Sequence, residues 1–260
     1  MTTHAGCSGY RPGLRNMPSR LDDTTAGTQG ISANDRVYRA LKQLILIGRV
    51  MPGVQLTHEG LAGELGVSRT PVREALERLH QEGFVAHRRN RGYFVTDLTP
   101  QEVSELFGVR AGLELYALEE SWRQNQHINM QELQRINQDY RSAILVGASK
   151  KRMIVDQEFH LELARQSGNT LLCRMLGSVF ERIILKRRVQ GYTVAQGLDA
   201  YEEHETLIKH LSAGHYEDAR SALRGHILRG RDRLLAQLVQ ETEGGMEDTL
   251  LPNGTAAQQA

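Results

Sequence analysis

The stretch LAGELGVSRTPVREALERL, which runs from Leu61 to Leu79, decides how the first part of this chain folds. Apolar residues recur at helical spacing on both sides of Gly66, a residue that turns the chain easily because it lacks a Cβ. Ser68 then provides an N-cap oxygen for the first amides of the second helix. The exposed start of that helix carries Arg69, Thr70 and Arg73. This pattern predicts a helix-turn-helix, whose second helix enters the DNA major groove, although an ordinary helical hairpin with a solvated face has the same periodicity.

The residues that follow have the composition of a β-hairpin with a basic tip. Phe84 to His87 and Tyr93 to Thr96 are predicted strands, and the segment RRNRG, from Arg88 to Gly92, lies between them. Three arginines and a glycine at a hairpin tip suit contacts with phosphates or with the minor groove. A helix-turn-helix followed by such a wing predicts a winged-helix DNA-binding domain. The candidate contacts in the wing are Arg89, Arg91 and Gly92.

Composition limits what the whole chain can be. Its 260 residues, of which 40% are hydrophobic and 24% charged, allow two globular domains. The formal net charge is only +1, yet residues 35–97 hold ten Lys and Arg against seven Asp and Glu, which indicates a local nucleic-acid surface. Because no apolar run suits a membrane span or a signal peptide, we expect a cytoplasmic protein. We expect no disulfide between Cys7 and Cys173, the two cysteines of the sequence.

Helix and loop signals divide the chain into four parts. We expect a disordered tail over 1–33, a winged helix-turn-helix over 34–97, an all-helical domain over 98–242 and a flexible tail over 243–260. Thr99 caps the first helix of the all-helical part, with Pro100 and Glu102 in its first turn. The predicted helices are 35–48 in the first domain and 100–124, 129–147, 150–167, 170–189, 196–213 and 216–241 in the second, with breaks at Gly147, Gly168, Gly191 and Gly214.

Several residues of the all-helical part could hold a metal ion. Asp156 and His160 are four residues apart and share a helix face, whereas His204 and His226 belong to later helices. One carboxylate and three imidazoles would suit a divalent transition metal with open positions for a ligand. A chain with ten histidines offers many such sets, so ordinary surface or core histidines explain the spacing equally well. Of the remaining histidines, we expect His58, His127 and His215 to face solvent. His210 follows His204 by six residues, so we expect it to lie on a different face of the same helix.

Two further polar positions have an ordinary explanation beside a functional one. Arg110 and Glu114 are four residues apart, which predicts an intrahelical ion pair, but a guanidinium is also a natural bidentate partner for a carboxylate ligand. Asn169 follows Gly168, so its simplest interpretation is a helix C-cap.

The segment SRTPVREAL, with MPGVQLTHEGLAGELGV before it and HQEGFVAHRRNRGYFV after it, closely resembles the DNA-binding domain of the GntR family of bacterial transcription regulators. The resemblance implies that Gly92 of the wing reaches the minor groove. It also implies operator contacts from Ser68, Arg69, Thr70 and Arg73. Many relatives carry an arginine where this chain has Glu59, and an acid cannot make the same phosphate contact, so that role is not carried over.

The all-helical part resembles the FCD ligand-binding domain of the FadR branch of the same family, in the segments VRAGLELYALE, DQEFHLELARQSGN, EEHETLIKHL and ALRGHI. The resemblance implies a metal held by Asp156, His160, His204 and His226, with zinc as the expected ion and nickel or manganese as alternatives. Some relatives lack this set and bind acyl thioesters instead. The resemblance also implies that Arg110 meets a carboxylate effector and that Asn169 lies near the same pocket.

The sequence therefore predicts a transcription regulator without enzymatic activity. A two-fold operator requires a two-fold protein, so we expect a homodimer on palindromic DNA. An organic acid or sugar acid is the expected effector, and the resemblance favours repression that the effector relieves. Two alternatives stay open, namely a metal-dependent hydrolase or lyase with an appended DNA-binding domain and a metal that is purely structural. No general base is recognisable in the sequence beside the four candidate metal ligands, which weighs against the enzyme.

Overall fold

The computed structural model describes residues 32–124, 128–190 and 193–247. Within these ranges the chain forms nine helices and three short strands, which confirms the predicted mainly α fold. The elements are α1 (Ala33–Leu46), β1 (Gln55–Leu56), α2 (His58–Leu65), α3 (Arg69–Gln81), β2 (Val85–Arg88), β3 (Gly92–Val95), α4 (Pro100–Arg123), α5 (Met130–Leu145), α6 (Ser149–Arg165), α7 (Thr170–Gln190), α8 (Val194–Ser212) and α9 (Tyr216–Glu247). Predictions for residues 1–31 and 248–260, and for Cys7, His127 and Gly191, lie outside the described residues.

The chain divides into two compact units: the first comprises the described residues up to Asp97 together with Ile184–Val189, and the second comprises the rest. In the first unit, α1 packs against α3, and Gly66 adopts a left-handed backbone conformation (φ 65°) at the predicted corner between α2 and α3. The three strands form an antiparallel sheet in the order β1-β3-β2. Its strands β2 and β3 are the predicted hairpin, with each strand displaced by one residue from its predicted bounds. A winged helix-turn-helix is the result.

Ser68 corrects a detail of the predicted capping. The residue occupies the N-cap position of α3 with an extended backbone, but its side chain makes no capping hydrogen bond. Its exposed hydroxyl is therefore not used to satisfy the helix terminus. Ser32, which the sequence analysis did not single out, does cap its helix: its hydroxyl accepts a hydrogen bond from the amide of Asp35.

The second unit contains α4, α5, α6, α7 up to Ile183, α8 and α9. The start of α4 is a complete capping box, in which the Thr99 hydroxyl accepts from the amide of Glu102 and the Glu102 carboxylate accepts from the amide of Thr99. The helix predicted over 216–241 continues to Glu247, past two glycines, because a glycine in a helix interior costs only about 1 kcal/mol and does not forbid the conformation. None of the described helices is both long enough and apolar enough to cross a membrane.

A buried apolar cluster holds the second unit together along most of its length. Fully buried members from all six of its helices include Phe107, Leu118, Leu133, Phe159, Ile183, Leu207 and Ile227. Burying side chains of this size stabilises a fold by roughly 1.5–3 kcal/mol each. Polar groups also lie at this depth, among them Arg110, Glu114, Asn137, His160 and His204. Burying polar side chains is costly unless they have partners, so these positions are candidates for a functional site.

Candidate DNA-binding face and metal centre

A cleft of about 480 Å³ opens on the first unit between the start of α3 and the wing. Five of the predicted DNA contacts line it together: Arg69, Thr70, Arg73, Arg91 and Gly92. Ser68 and Arg89 are exposed but do not line the cleft. The wing is fixed at its tip, because Asn90 and Gly92 both have positive φ angles and the Gln55 amide donates a 2.6 Å hydrogen bond to the carbonyl of Arg91. Cations, hydroxyls and amides thus converge on one concave surface that suits a phosphate backbone.

Glu59 lies in the same cleft and forms an ion pair with a predicted DNA contact. Its Oε1 is 2.9 Å from Nη2 of Arg69, and both side chains are about 70% exposed. The departure from the family pattern at Glu59 therefore has a direct structural consequence. In the free protein the carboxylate pairs with one nitrogen of the Arg69 guanidinium, and that nitrogen is then not available to the predicted DNA contact.

Four polar residues that line this cleft were not predicted as site residues from the sequence: Gln55, Thr57, His58 and Asn90. Gln55 reaches the cleft because β1 pairs with β3, and a two-residue strand shows no alternation from which it could be predicted. Thr57 is the N-cap of α2, a role that its residue type and the acidic Glu59 in the first turn could have revealed. His58 was expected to face solvent, but it is half-buried, and its ring contacts the edge of Tyr93 at 5.8 Å between ring centroids.

In the second unit, the four predicted metal ligands come together at one buried position. Asp156 and His160 are on α6, His204 is on α8 and His226 is on α9. One ligand atom from each lies within 4.8 Å of the others, and all four side chains are buried. The Nε2 atoms of His160 and His226 are 3.1 Å apart, and Nε2 of His204 is 3.8 Å from Oδ1 of Asp156. Two nitrogen ligands that bind one ion at 2.0–2.1 Å are separated by ~3.0–3.4 Å, so the cluster has the size of a metal site.

Hydrogen bonds on the far side of each imidazole fix its orientation. Glu114 Oε2 lies 2.7 Å from Nδ1 of His160, Asn137 Oδ1 lies 3.0 Å from Nδ1 of His204, and Glu203 Oε2 lies 2.7 Å from Nδ1 of His226. Because all three oxygens act as acceptors, each Nδ1 carries the proton and each Nε2 presents its lone pair to the centre. Metal-binding histidines are oriented in this way by a second layer of carboxylates and amides.

The outer residues are themselves held by further polar contacts. Asn137 Nδ2 donates to Oε1 of Glu205 at 2.5 Å, which leaves its Oδ1 facing His204. Glu203 accepts hydrogen bonds from Arg229 at 2.6 Å and from Arg233 at 3.2 Å. Sequence reasoning missed Asn137 and Glu203, since each acts on a histidine from another helix and neither belongs to a local motif.

Burial and neighbouring charges favour a neutral imidazole at His204. Burial, with added repulsion from His226 and His160, lowers the pKa of His204 well below its ordinary value. Burial alone would raise the pKa of Glu203, but hydrogen bonds from His226, Arg233 and Arg229 outweigh it and keep the carboxyl ionised. His204 Nε2 is buried and has no hydrogen-bond partner among the described residues. A buried, unprotonated and unpaired nitrogen is costly unless a cation binds it, so the donor set fits a divalent transition metal.

Arg110 forms the predicted ion pair with Glu114, and Glu114 connects it to His160 of the buried cluster. Its Nε donates to Glu114 at 2.5 Å, and the other oxygen of Glu114 bonds to His160. The guanidinium lies 4.4 Å from the centre of the Phe180 ring, and Arg110 is 1% exposed. Its Nη2 is buried and has no hydrogen-bond partner in the part of the chain that the structure describes. One side of this cation is therefore satisfied by the protein, and the other side could accept an anionic ligand.

Asn169 has a capping role that differs from the predicted one. Its side-chain oxygen accepts a hydrogen bond from the amide of Leu172 at 3.0 Å, so it caps the start of α7 rather than the end of α6. Gly168 provides the left-handed residue (φ 68°) between the two helices. A side chain that follows a helix break can cap either neighbour, and here the free amides of α7 are the ones within reach.

Comparisons with known proteins agree with both units. The model of the bacterial regulatory proteins of the gntR family matches residues 33–95, and the FCD domain model matches residues 105–229. The Nta operon transcriptional regulator of Aminobacter aminovorans is 30% identical over 186 residues, which cover 71% of this chain and 86% of that protein. The gluconate operon transcriptional repressor of Bacillus licheniformis is 29% identical over 157 residues, with coverage of 59% and 64%. The solved structure of E. coli McbR/YncC is 26% identical and superposes over 80% of this chain and 99% of that one, with a TM-score of 0.67.

Proposed function

The chain belongs to the GntR family of bacterial transcription regulators and binds DNA, and we propose that a small organic acid held at a metal site controls this binding. The observation that carries the proposal is the shared arrangement of three buried histidines, each with Nδ1 on an acceptor and Nε2 directed at one point. Histidines that serve only to pack a core have no reason to direct their free nitrogens at a common point. Three that share one focus, with a carboxylate beside them, are what a resident cation requires.

Zinc is the ion we propose, held by Asp156, His160, His204 and His226, because imidazole and carboxylate together suit it and no thiolate is present in the set. Nickel and manganese are the alternatives, since both accept the same ligands. When bound, such an ion supplies open coordination positions that a carboxylate can occupy. The chain itself contributes the orientation of the ligands and the exclusion of water by the surrounding apolar core.

We propose Arg110 as the protein group that binds the effector carboxylate. Its unpaired Nη2 is the support, because a buried guanidinium nitrogen without a partner is costly and a carboxylate would satisfy it. Asn169 is a second proposed contact, and since its oxygen caps α7, its amide nitrogen is the group that would donate. The name of the gluconate operon repressor associates one relative with a sugar acid, and this supports a hydroxy-acid or sugar-acid effector here.

At the DNA, we propose that the start of α3 reads the operator and that the wing contacts the backbone and the minor groove. The proposed contacts are Ser68, Arg69, Thr70, Arg73, Arg89, Arg91 and Gly92. A homodimer on a palindromic operator follows from the two-fold symmetry that helix-turn-helix proteins share with their sites. We further propose that the protein acts in the cytoplasm as a repressor without catalytic activity. Turnover of any member of a carboxylate library by the zinc-bound protein would contradict the last point.

One set of measurements tests the metal and the effector together. His204→Ala should remove the zinc ion of the buried cluster without unfolding the protein, whereas His87→Ala, at an exposed histidine of the other unit, should leave the zinc content unchanged. In a thermal-shift screen against hydroxy acids and sugar acids, a sensor is stabilised by its own effector in proportion to occupancy, and Arg110→Gln should lose that response. Full zinc occupancy in His204→Ala would remove that residue from the site. Stabilisation by zinc alone, with no response to any acid, would indicate a purely structural ion.

A further inference from the structure

A second group of potential metal ligands lies at the corner between α8 and α9, separate from the four buried residues. It consists of His210 near the end of α8, His215 in the turn and Asp218 in the first turn of α9. We propose that these three side chains form a surface site for a divalent transition metal, with zinc as the reference ion. The site shares no ligand with the buried cluster, so it stands or falls independently of the metal site in the proposed function.

The backbone of the corner fixes where the three side chains start. Gly214 has a left-handed conformation (φ 73°), which lets the chain reverse in a single residue. The amide of His215 donates to the carbonyl of His210 at 3.0 Å, and the amide of Ala219 donates to the carbonyl of His215 at 3.0 Å. His215 is therefore bonded to both helices. The backbone positions from which the two imidazoles and the carboxylate project are therefore set by regular hydrogen bonds.

Distances within the group fit an ion better than they fit direct hydrogen bonds. Oδ2 of Asp218 lies 3.8 Å from Nδ1 of His210 and 3.8 Å from Nδ1 of His215. A hydrogen bond to nitrogen requires about 2.7–3.2 Å, so the carboxylate satisfies neither ring. Two ligands on a tetrahedral ion at 2.0–2.1 Å from each are ~3.3 Å apart, so a shift of about half an ångström would bring the Asp218 carboxylate to ligand spacing from each ring. The exposed side chains of His215 and Asp218 can make that shift by small rotations.

The chemistry of the donors selects the class of ion. Two imidazoles with one carboxylate suit zinc, nickel or copper, whereas magnesium and calcium prefer sets made of oxygen. Three protein ligands leave at least one position for water, and the exposure of the group predicts weaker binding than at the buried cluster. A bound ion would also join the end of α8 to the start of α9, the two helices that carry His204 and His226. Binding at the corner would therefore stabilise the α8–α9 pair.

Zinc titration of the full chain by calorimetry, combined with metal analysis after buffer exchange, tests the proposal. The decisive background is His204→Ala, in which the buried cluster has lost a ligand. That variant should still bind about one zinc ion per chain at the corner and show a zinc-dependent rise in melting temperature. Adding His215→Ala should abolish both, and adding His210→Ala should do the same. Glu217→Gln, which removes a neighbouring charge on α9 outside the group, is the matched control and should retain both.

Each outcome decides between the two sites. If the His204→Ala protein binds zinc but His215→Ala does not weaken that binding, the corner site is refuted. An absence of saturable zinc binding in His204→Ala, together with one retained ion in His215→Ala, refutes it too and leaves the buried site intact. Zinc binding that is lost with His215→Ala and unaffected by His204→Ala supports the corner and counts against the buried cluster.

Discussion

Replacing Glu59 by glutamine should strengthen DNA binding. In the free protein, Oε1 of Glu59 lies 2.9 Å from Nη2 of Arg69, and both residues line the cleft between α3 and the wing. Arg69 must exchange that carboxylate for DNA when the operator binds, and Glu59 itself is then brought close to phosphates. Glutamine has nearly the same shape and can still accept a hydrogen bond, but it carries no charge. The substitution therefore isolates the electrostatic contribution of this residue.

The expected gain follows from two contributions. An exposed ion pair of this kind stabilises the free protein by about 0.2–1 kcal/mol. Breaking it costs that free energy when the operator binds, and the glutamine variant avoids this cost. A carboxylate about 7 Å from one phosphate in water costs roughly 0.6 kcal/mol before salt screening, which reduces it further at a Debye length of about 8 Å. Together these contributions amount to about 1 kcal/mol, which corresponds to operator binding that is about fivefold tighter.

Fluorescence anisotropy with labelled operator DNA, repeated between low and moderate salt, measures both the gain and its origin. If Arg69 becomes free to neutralise one more phosphate, the slope of log K against log salt should become more negative by up to about 0.9. Asp35→Asn is the control, because it removes the same charge from another exposed ion pair of the winged helix, with Arg78, whose residues do not line the cleft. It should change affinity much less than Glu59→Gln.

Two results would refute this reasoning. Equal effects of Glu59→Gln and Asp35→Asn would mean that only the net charge of the domain matters and that the pair with Arg69 is irrelevant. Weaker binding of Glu59→Gln, limited to certain operator sequences, would mean that the carboxylate itself reads a base. Cytosine is the base that offers a donor to a carboxylate in the major groove, so the loss should then appear at C·G positions.

Three further substitutions test the two units. Glu203→Gln keeps an acceptor for Nδ1 of His226 but removes the negative charge of the carboxylate. Zinc affinity in a chelator competition should therefore fall about 10–100-fold. An unchanged affinity would mean that Glu203 does not influence zinc binding through His226. Although burial raises the pKa of Glu82, hydrogen bonds led by that from Lys42 lower it overall. The stability that this carboxylate provides should therefore be lost as pH falls below 4.5. In urea unfolding, Glu82→Gln should flatten the dependence of stability on pH in that range. Phe159→Ala should destabilise the second unit by about 3–5 kcal/mol in the same assay, because the ring is fully buried.

Features with partners close in sequence were predictable. Gly66 as the corner of the helix-turn-helix and the Thr99–Glu102 capping box depend on contacts within four residues, and the structure has both. Ser68 shows the limit of such reasoning, since it has the right residue type and position for a cap but makes no capping bond. Residue type establishes that a hydroxyl can cap a helix. Only the rotamer decides whether it does, and the rotamer depends on surroundings that local spacing does not encode.

Features with distant partners were not predictable from residue pattern alone. Strand β1 exists only because Gln55 pairs with Phe94, 39 positions further along the chain. Within the buried cluster, periodicity places Asp156 and His160 on one face of α6, but nothing in the spacing relates them to His204 and His226, which only the family resemblance supplied. Asn137 was missed altogether, because its bond to His204 spans 67 positions and an asparagine inside a helix has no pattern of its own.

The outer residues make the proposed metal centre a property of the whole helical unit rather than of four side chains. The ligands come from α6, α8 and α9, while the acceptors that orient them come from α4, α5 and α8. A change in coordination is therefore felt by five of the six helices through bonds of 2.7–3.0 Å. An effector can alter DNA binding only if its affinity differs between two arrangements of the protein, and by reciprocity DNA must alter the affinity for that effector equally. A site whose ligands come from several helices can bind more tightly in one arrangement than in the other, because moving one helix misaligns at least one ligand. An ion held by neighbouring residues of one helix would bind both arrangements alike and transmit nothing.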